Sequence, residues 1–262
     1  MKPVEFDYER PATLDEALVL LAQPNARVLA GGQSIGPMLN LRLVQPTLLV
    51  DITAIEALRE TSREDGTLQL GACVTHTAIE DGNLRDVTNK AMASVARNIA
   101  YRAVRNRGTI GGSLVHADPA ADWLTCLSTL GADVIATGAA GQRRIPVASF
   151  VKGAFETDLQ QGEILRAVSV PVLSESAKWG FYKFCRKEGD FAEAIGAVLQ
   201  DGDTTRTVLG ATNGPPLVID GPYSDEAVRV AIDAQPDMDA YDQQVHFVAG
   251  KRAAMIAGVR MA

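Results

Sequence analysis

The residues best placed to do chemistry in this chain are glycines. Ala30-Gly31-Gly32-Gln33-Ser34 follows a short apolar run, and Thr109-Ile110-Gly111-Gly112-Ser113 follows a helical pattern; each couples consecutive glycines to a hydroxyl. Paired glycines let a backbone turn through positive φ and approach a ligand closely, so that successive N–H groups form a concave nest for anionic oxygens. Phosphate is the natural occupant. Hydrogen bonds to a charged group contribute about 1.5–3 kcal/mol each, so two such nests can hold a diphosphate without a lysine. Either stretch alone reads better as an ordinary tight turn, since 23 glycines must sit somewhere. It is the recurrence of one grammar at two places that argues for binding. Beyond the second stretch, Asp118-Pro119 reads as a helix start with Asp122 one turn in. A carboxylate there either favours the helix dipole or accepts from ligand hydroxyls and ring N–H groups.

Other chemistries have weaker anchors. Gly32-Gln33-Ser34-Ile35-Gly36 fits the G-x-S-x-G nucleophile elbow, and Asp220 and His246 follow in the order of a serine hydrolase triad. An elbow, however, sits on a central strand reached after several others, and too little chain precedes Ser34 to build them. No G-x-G-x-x-G, P-loop or H-E-x-x-H motif occurs. His76, His116 and His246 are scattered, which suits surface or satisfied core histidines. No metal site and no catalytic acid, base or nucleophile is assigned. Cys73, Cys126 and Cys185 form no CxxC pair and are too few for a four-cysteine cluster, so the chain brings no iron–sulfur centre of its own.

The elements that must position these residues follow from periodicity and turn chemistry. Thr13 and Glu16 make a capping box for a helix through Leu14, Ala17, Leu18 and Leu21. Arg27–Ala30 and Leu48–Asp51 read as strands around a short Pro37-led helical segment. A strand over Leu68–Gly71 comes next, followed by a long helical pattern through Ala91, Val95, Asn98 and Ile99 and a helix over Ala120–Leu130. Strands are expected at Asp133–Ala136, Arg143–Ile145 and Glu163–Val170. After a polar connector at Leu173–Lys178 the pattern changes to consecutive strands: Trp179–Cys185, Ala194–Leu199 and Thr205–Ala211. Helices over Ser224–Ala234 and Ala240–Met261 close the chain, the last with Val245, Val248, Arg252 and Ile256 on one face. Strands followed by helices predict a separate α+β domain beginning near residue 173.

Composition bounds the function. The chain has 262 residues, 47% of them hydrophobic and 22% charged, as expected of a globular protein of one or two domains. With 25 Lys+Arg against 32 Asp+Glu the net charge is −7, and no basic block stands out, so nucleic acid and anionic membrane are not expected as partners. No apolar run approaches the length of a membrane span, and the N-terminal segment lacks the apolar region of a signal peptide. A cytoplasmic protein with reduced thiols is expected.

At these residues a family resemblance is evident. Ala30–Leu43 (AGGQSIGPMLNLRL) and Arg105–Asp122 (RNRGTIGGSLVHADPAAD) closely resemble the FAD-binding medium subunit of the molybdenum hydroxylases, the group that includes bacterial carbon monoxide dehydrogenase and xanthine dehydrogenase. Further matches run through Gly162–Leu165, Val168–Pro171, Phe184–Ala192 and Leu209–Gly210, and so cover nearly the whole chain. Ile35 and Gly36 depart from the aliphatics common in relatives. The resemblance implies an α+β protein: an FAD-binding region of the vanillyl-alcohol oxidase type over residues 1–172, with subdomains of about 1–55 and 56–172, and a C-terminal domain over 173–262 with a three-stranded antiparallel sheet and helices.

Carried over residue by residue, the resemblance implies that Leu29, Ala30, Gly31, Gly32, Gln33, Ser34, Ile35 and Gly36, with Thr109, Ile110, Gly111, Gly112 and Ser113, wrap the FAD diphosphate and adjoining parts. Asp122 holds the cofactor by polar contacts, Leu165 and Lys183 lie against the flavin, and Phe191 shields the isoalloxazine ring or is a core residue of its strand. FAD is expected to be non-covalent, because neither glycine stretch contains a histidine or cysteine and His116 lies just outside the second. The implied role is an electron-transfer subunit that passes electrons from the [2Fe–2S] clusters of a small subunit to an external acceptor, beside a large subunit carrying the molybdenum cofactor, in a dimer of heterotrimers. Two alternatives remain at this level: a non-catalytic assembly subunit of the same complex, and a serine hydrolase using Ser34.

Overall fold

A computed structural model of the chain describes residues 2–260. Its N-terminal part is a three-stranded parallel sheet built from β1 (Asp7–Glu9), β2 (Ala26–Leu29) and β3 (Leu48–Asp51), in the order β1-β3-β2. Helix α1 (Leu14–Leu21) separates the first two strands. The Thr13 hydroxyl accepts from the Glu16 amide while the Glu16 carboxylate accepts from the Thr13 amide, the reciprocal cap expected from the sequence. Helix α2 (Ile35–Asn40) fills the crossover from β2 to β3. Ala17, Val50, Ile52 and Leu58 form a small core here, which Ile164 joins from the next unit.

A five-stranded antiparallel sheet follows, ordered β4-β5-β10-β6-β7. Its first strands are β4 (Thr61–Glu64) and β5 (Thr67–Gly71). The chain then leaves the sheet for five helices: α3 (His76–Glu80), α4 (Ala91–Arg97), α5 (Arg102–Arg105), α6 (Ile110–His116) and α7 (Asp122–Leu130). Strands β6 (Asp133–Gly138) and β7 (Gly141–Pro146), the short helix α8 (Val147–Phe150) and a small hairpin of β8 (Val151–Gly153) and β9 (Glu156–Thr157) precede β10 (Ile164–Pro171). Leu70, Val134 and Val168 point from the sheet into the main core, where they meet Ile110, Leu114, Trp123 and Leu127 of the helices.

The last unit is a four-stranded antiparallel sheet of β11 (Lys178–Phe184), β12 (Ala194–Asp201), β13 (Thr204–Gly210) and β14 (Leu217–Asp220), backed by α9 (Asp225–Asp233) and α10 (Ala240–Ala257). Helix α10 lies close on the sheet because small residues face each other. A side chain at Gly196 would overlap the Ala249 carbonyl, and one at Gly180 the Ala253 carbonyl. On the opposite face β12 and β13 pack against α7, all nine residues of which are buried.

The α+β class holds, with differences in detail. The C-terminal sheet has a fourth strand, β14, four residues long and half exposed, too short and irregular in polarity to register in the sequence. Strands β1 and β4 are exposed along their whole length and show no alternation for the same reason. The long helical pattern stops at Arg97, because Ala100 takes a positive φ of 42°. Helix α10 ends at Ala257, capped by Gly258 at φ 65°; Met261, the expected end, lies outside the described residues. Its face bearing Arg252 and Ile256 looks outward, and Phe247, Ala249, Gly250 and Ala253 form the buried face instead. Among the described residues no helix is long and apolar enough to cross a membrane.

Candidate cofactor site

Strand β2 runs at its C-terminal end into the first glycine stretch, the position where open parallel sheets present loops to ligands. Gly32 has φ 74°, a conformation that favours glycine. The turn leaves a row of free donors: the amides of Gly31, Gly32, Gln33, Ser34 and Ile35 meet no acceptor among the described residues, and pairing resumes only with Gly36 N–H to Gly32 at 3.1 Å. The Gln33 side chain folds back to the Gly31 carbonyl at 3.1 Å. Ser34 precedes α2 without using its hydroxyl as a cap.

The second stretch is built differently from the open loop expected. Ile110–Ser113 belong to α6, and neither Gly111 nor Gly112 has positive φ. Thr109 is the cap: its hydroxyl accepts from the Gly112 amide at 3.1 Å. The Ile110 and Gly111 amides are taken by the Val74 and Ala72 carbonyls, each at 3.0 Å. This segment therefore offers a helix start and the exposed surface of Gly112 rather than a nest of free amides. Gly111 is small because a Cβ there would lie 2.6 Å from that of Ala72.

The two stretches meet. Gly31 packs so closely that a Cβ would overlap the Arg107 carbonyl, and it would lie 3.0 Å from the Gly108 Cα. From this seam His76 leads inward, since the Trp123 indole N–H donates to its Nδ1 at 3.0 Å. Beside Trp123 stands Asp122, the first residue of α7 and not one turn in, because Asp118 forms a separate turn with its carboxylate on the Ala120 amide at 2.9 Å.

Asp122 is 6% exposed, and its Oδ2 pairs at 3.0 Å with Lys183 Nζ, which comes from β11 and also lies 3.4 Å from the Asn98 carbonyl. Its other oxygen, Oδ1, is buried without a partner. Burial raises the Asp122 carboxyl above its ordinary range, and Lys183 only partly counters it. The Thr125 and Ser128 hydroxyls of α7 are also unpartnered, but leaving a carboxylate oxygen unpaired costs more. An N–H or hydroxyl donor from a ligand would satisfy Oδ1. Leu165 is tied to the second stretch only through backbone: its neighbour Arg166 accepts from the Ala72 amide at 2.9 Å, and Ala72 accepts from Gly111. The Leu165 side chain itself is 3% exposed in the main core. Phe191 is not a strand residue but 66% exposed on the β11–β12 loop, which Gly189 docks 3.0 Å from the Ala100 carbonyl, measured from an ideal Cβ. Thus contacts through Arg107, Gly108, His76 and Trp123 link the glycine turn and the start of α6 to Asp122 and its partner Lys183, Leu165 lies in the core, and Phe191 stands on an exposed loop.

The sequence leaves His76 as a surface or satisfied core histidine and gives no signal for its pairing with Trp123. His76 and Trp123 are 47 residues apart, and nothing local couples them. The hydrolase reading has no geometry to support it. Ser34 has an ordinary negative φ, Asp220 pairs with Arg206, and His246 faces the Asp242 and Ala211 carbonyls.

A family model described as the FAD binding domain in molybdopterin dehydrogenase matches residues 4–173. The chain belongs to this family. It is an FAD-binding oxidoreductase subunit of the molybdopterin-dependent type. Caffeine dehydrogenase subunit beta of Pseudomonas sp. (strain CBB1) is 37% identical over 202 residues, 76% of this chain and 68% of its own. The carbon monoxide dehydrogenase medium chain of Hydrogenophaga pseudoflava is 32% identical over 249 residues, 89% of this chain and 87% of its own. Quinoline 2-oxidoreductase from Pseudomonas putida 86 superposes with a TM-score of 0.86 at 32% identity, covering 98% of this chain and 99% of that one.

Proposed function

We propose that this chain is the electron-transfer subunit of a heterotrimeric molybdenum hydroxylase, holding FAD non-covalently and passing electrons from the [2Fe–2S] clusters of a small partner to an external acceptor. The observation that carries the reading is the presence of free Gly31–Ile35 amides together with the orphaned, buried Asp122 Oδ1, linked through Gly108, His76 and Trp123. Anionic oxygens suit the first and an N–H or O–H donor suits the second, so the residues fit FAD.

When bound, FAD supplies the one- and two-electron redox chemistry that no side chain provides. The protein binds and orients. Residues 29–36, with Gly112 and Ser113 at the start of α6, would take the diphosphate and its surroundings, Gly32 through its left-handed turn and Thr109 by fixing that start, while Ile110 and Gly111 hold it from the core. Asp122 accepts a hydrogen bond at Oδ1, and Lys183 sets a positive charge beside it. Leu165 would support the flavin side of the site from the core, and Phe191, on its exposed loop, would be available to shield the cofactor from solvent. No residue is assigned as catalytic acid, base or nucleophile.

The division into residues 1–172, with subdomains of about 1–55 and 56–172, and 173–262 is supported by the separate sheets and by the end of the family match at residue 173. The molybdenum cofactor is assigned to a large partner and the clusters to a small one, in a dimer of heterotrimers in the cytoplasm. Medium-chain relatives and the isolation of Cys73, Cys126 and Cys185 from one another, the first two buried in different cores, support this. Acid treatment of the purified protein should release all its flavin as FAD. In the co-expressed complex, substrate added without oxygen should bleach the flavin absorbance. Clusters that reduce while the flavin stays oxidised would replace this role by an assembly subunit.

A further inference from the structure

His76 lies outside both glycine stretches and outside the Asp122–Lys183 pair, yet it touches what leads to each. Its ring is 5% exposed. The bond from Trp123 to Nδ1 places the ring's own proton on Nε2, and its backbone N–H donates to the Gly108 carbonyl at 3.0 Å. A Cβ on Gly108 would lie 2.8 Å from both Cδ2 and Nε2 of the ring, so the imidazole fills the space a side chain at 108 would need. On the preceding residue of the same turn, the Arg107 carbonyl fills the corresponding space at Gly31. Trp123, wholly buried, is the chain neighbour of Asp122. An unbroken line of contacts thus runs from Gly31 through Arg107 and Gly108 to His76, Trp123 and Asp122.

We propose that His76 is a positioning residue for the flavin cofactor: by accepting from Trp123 and wedging against Gly108, it holds the Gly31 turn and the Asp122 carboxylate in register. The inference rests on the FAD reading above. A neutral ring is required, because an imidazolium has no lone pair to accept from the indole. Burial keeps it neutral, lowering His76 to about 4, with Arg105 adding to the effect. The line also explains why two motifs far apart in sequence must be placed together, since one rigid ring spans the gap between their supports.

The test uses His76→Leu and Trp123→Phe, which remove the hydrogen bond but keep an apolar filler, and His76→Gln, which keeps an acceptor for the indole. FAD affinity, the visible flavin spectrum and the melting temperature of the apoprotein are measured on the full chain. The first two variants should each bind FAD about tenfold more weakly, equivalent to ~1.4 kcal/mol, with a shifted visible band. The double variant should lose little more than either single one, because both break one bond, and His76→Gln should recover affinity to within about threefold of the original. FAD binding and spectra unchanged in a folded Trp123→Phe protein would overturn the proposal. So would affinity losses that merely follow apoprotein melting across all three variants, Gln included. Failure of the unsubstituted chain to bind FAD would instead overturn the cofactor reading itself.

Discussion

A methyl group separates tolerance from failure at two glycines. Gly31 has the Arg107 carbonyl where its side chain would be, whereas Gly214, away from the site residues, has open space there. Gly31→Ala must therefore push the glycine turn away from Gly108, and the expected outcome is loss of most bound flavin, against an unchanged flavin-to-protein ratio in Gly214→Ala. Equal flavin content in both would show that the seam does not matter. His76 supplies a second prediction. Between about pH 6.5, where a free histidine titrates, and about 4, the unfolded chain carries a proton that the folded chain refuses. The unfolded state then binds more protons, so stability falls as pH falls through this window. His76→Gln should flatten that part of the urea-denaturation profile. The steeper fall at lower pH should remain, because Glu80, held low by Arg105 and Arg102, and Glu163, held low by Arg143, still lose their partners on protonation. An unaltered slope between about pH 6 and 4.5 would contradict the histidine assignment. At this scale the sequence was informative where chemistry is written into adjacent residues, as in Gly31-Gly32. It was silent where a partner arrives from elsewhere, as Lys183 does at Asp122.

Among the elements, those with a strong local signal were legible: the Thr13–Glu16 cap, the buried β3, and the consecutive strands of the C-terminal sheet. The start of α6 was not, because two glycines depress helix propensity by about 1 kcal/mol each and hide the period. The surviving clue was Thr109 three residues before Gly112, a capping distance. Helix α10 was read by its larger residues, yet its small ones face the sheet, where close approach counts for more than side-chain size. That approach is testable at Gly196, whose Cβ would overlap the Ala249 carbonyl. Gly196→Ala should destabilise the protein by about 1–3 kcal/mol in chemical denaturation, the usual cost of overpacking, while Gly202→Ala, in a turn with open space but φ 58°, should cost about 1 kcal/mol. A Gly196 variant as stable as the original would mean that α10 slides freely on the sheet.

For the molecule as a whole, the arrangement of α7 has the widest reach. Its first residue is Asp122 of the proposed cofactor site, one side belongs to the main core, and another packs on β12 and β13, with Gly210 so close to Thr125 that no side chain fits between them. A helix that is an interior wall to both halves cannot stay in place when either half opens. Flavin fluorescence, quenched in the site and regained on release, then becomes an optical gauge of the C-terminal sheet, although that sheet gives the site only one ion-pairing side chain. Heated slowly, the holoprotein should release its flavin along the same curve that circular dichroism traces for loss of the strands. Two curves separated by several degrees would mean that the halves come apart before the cofactor leaves.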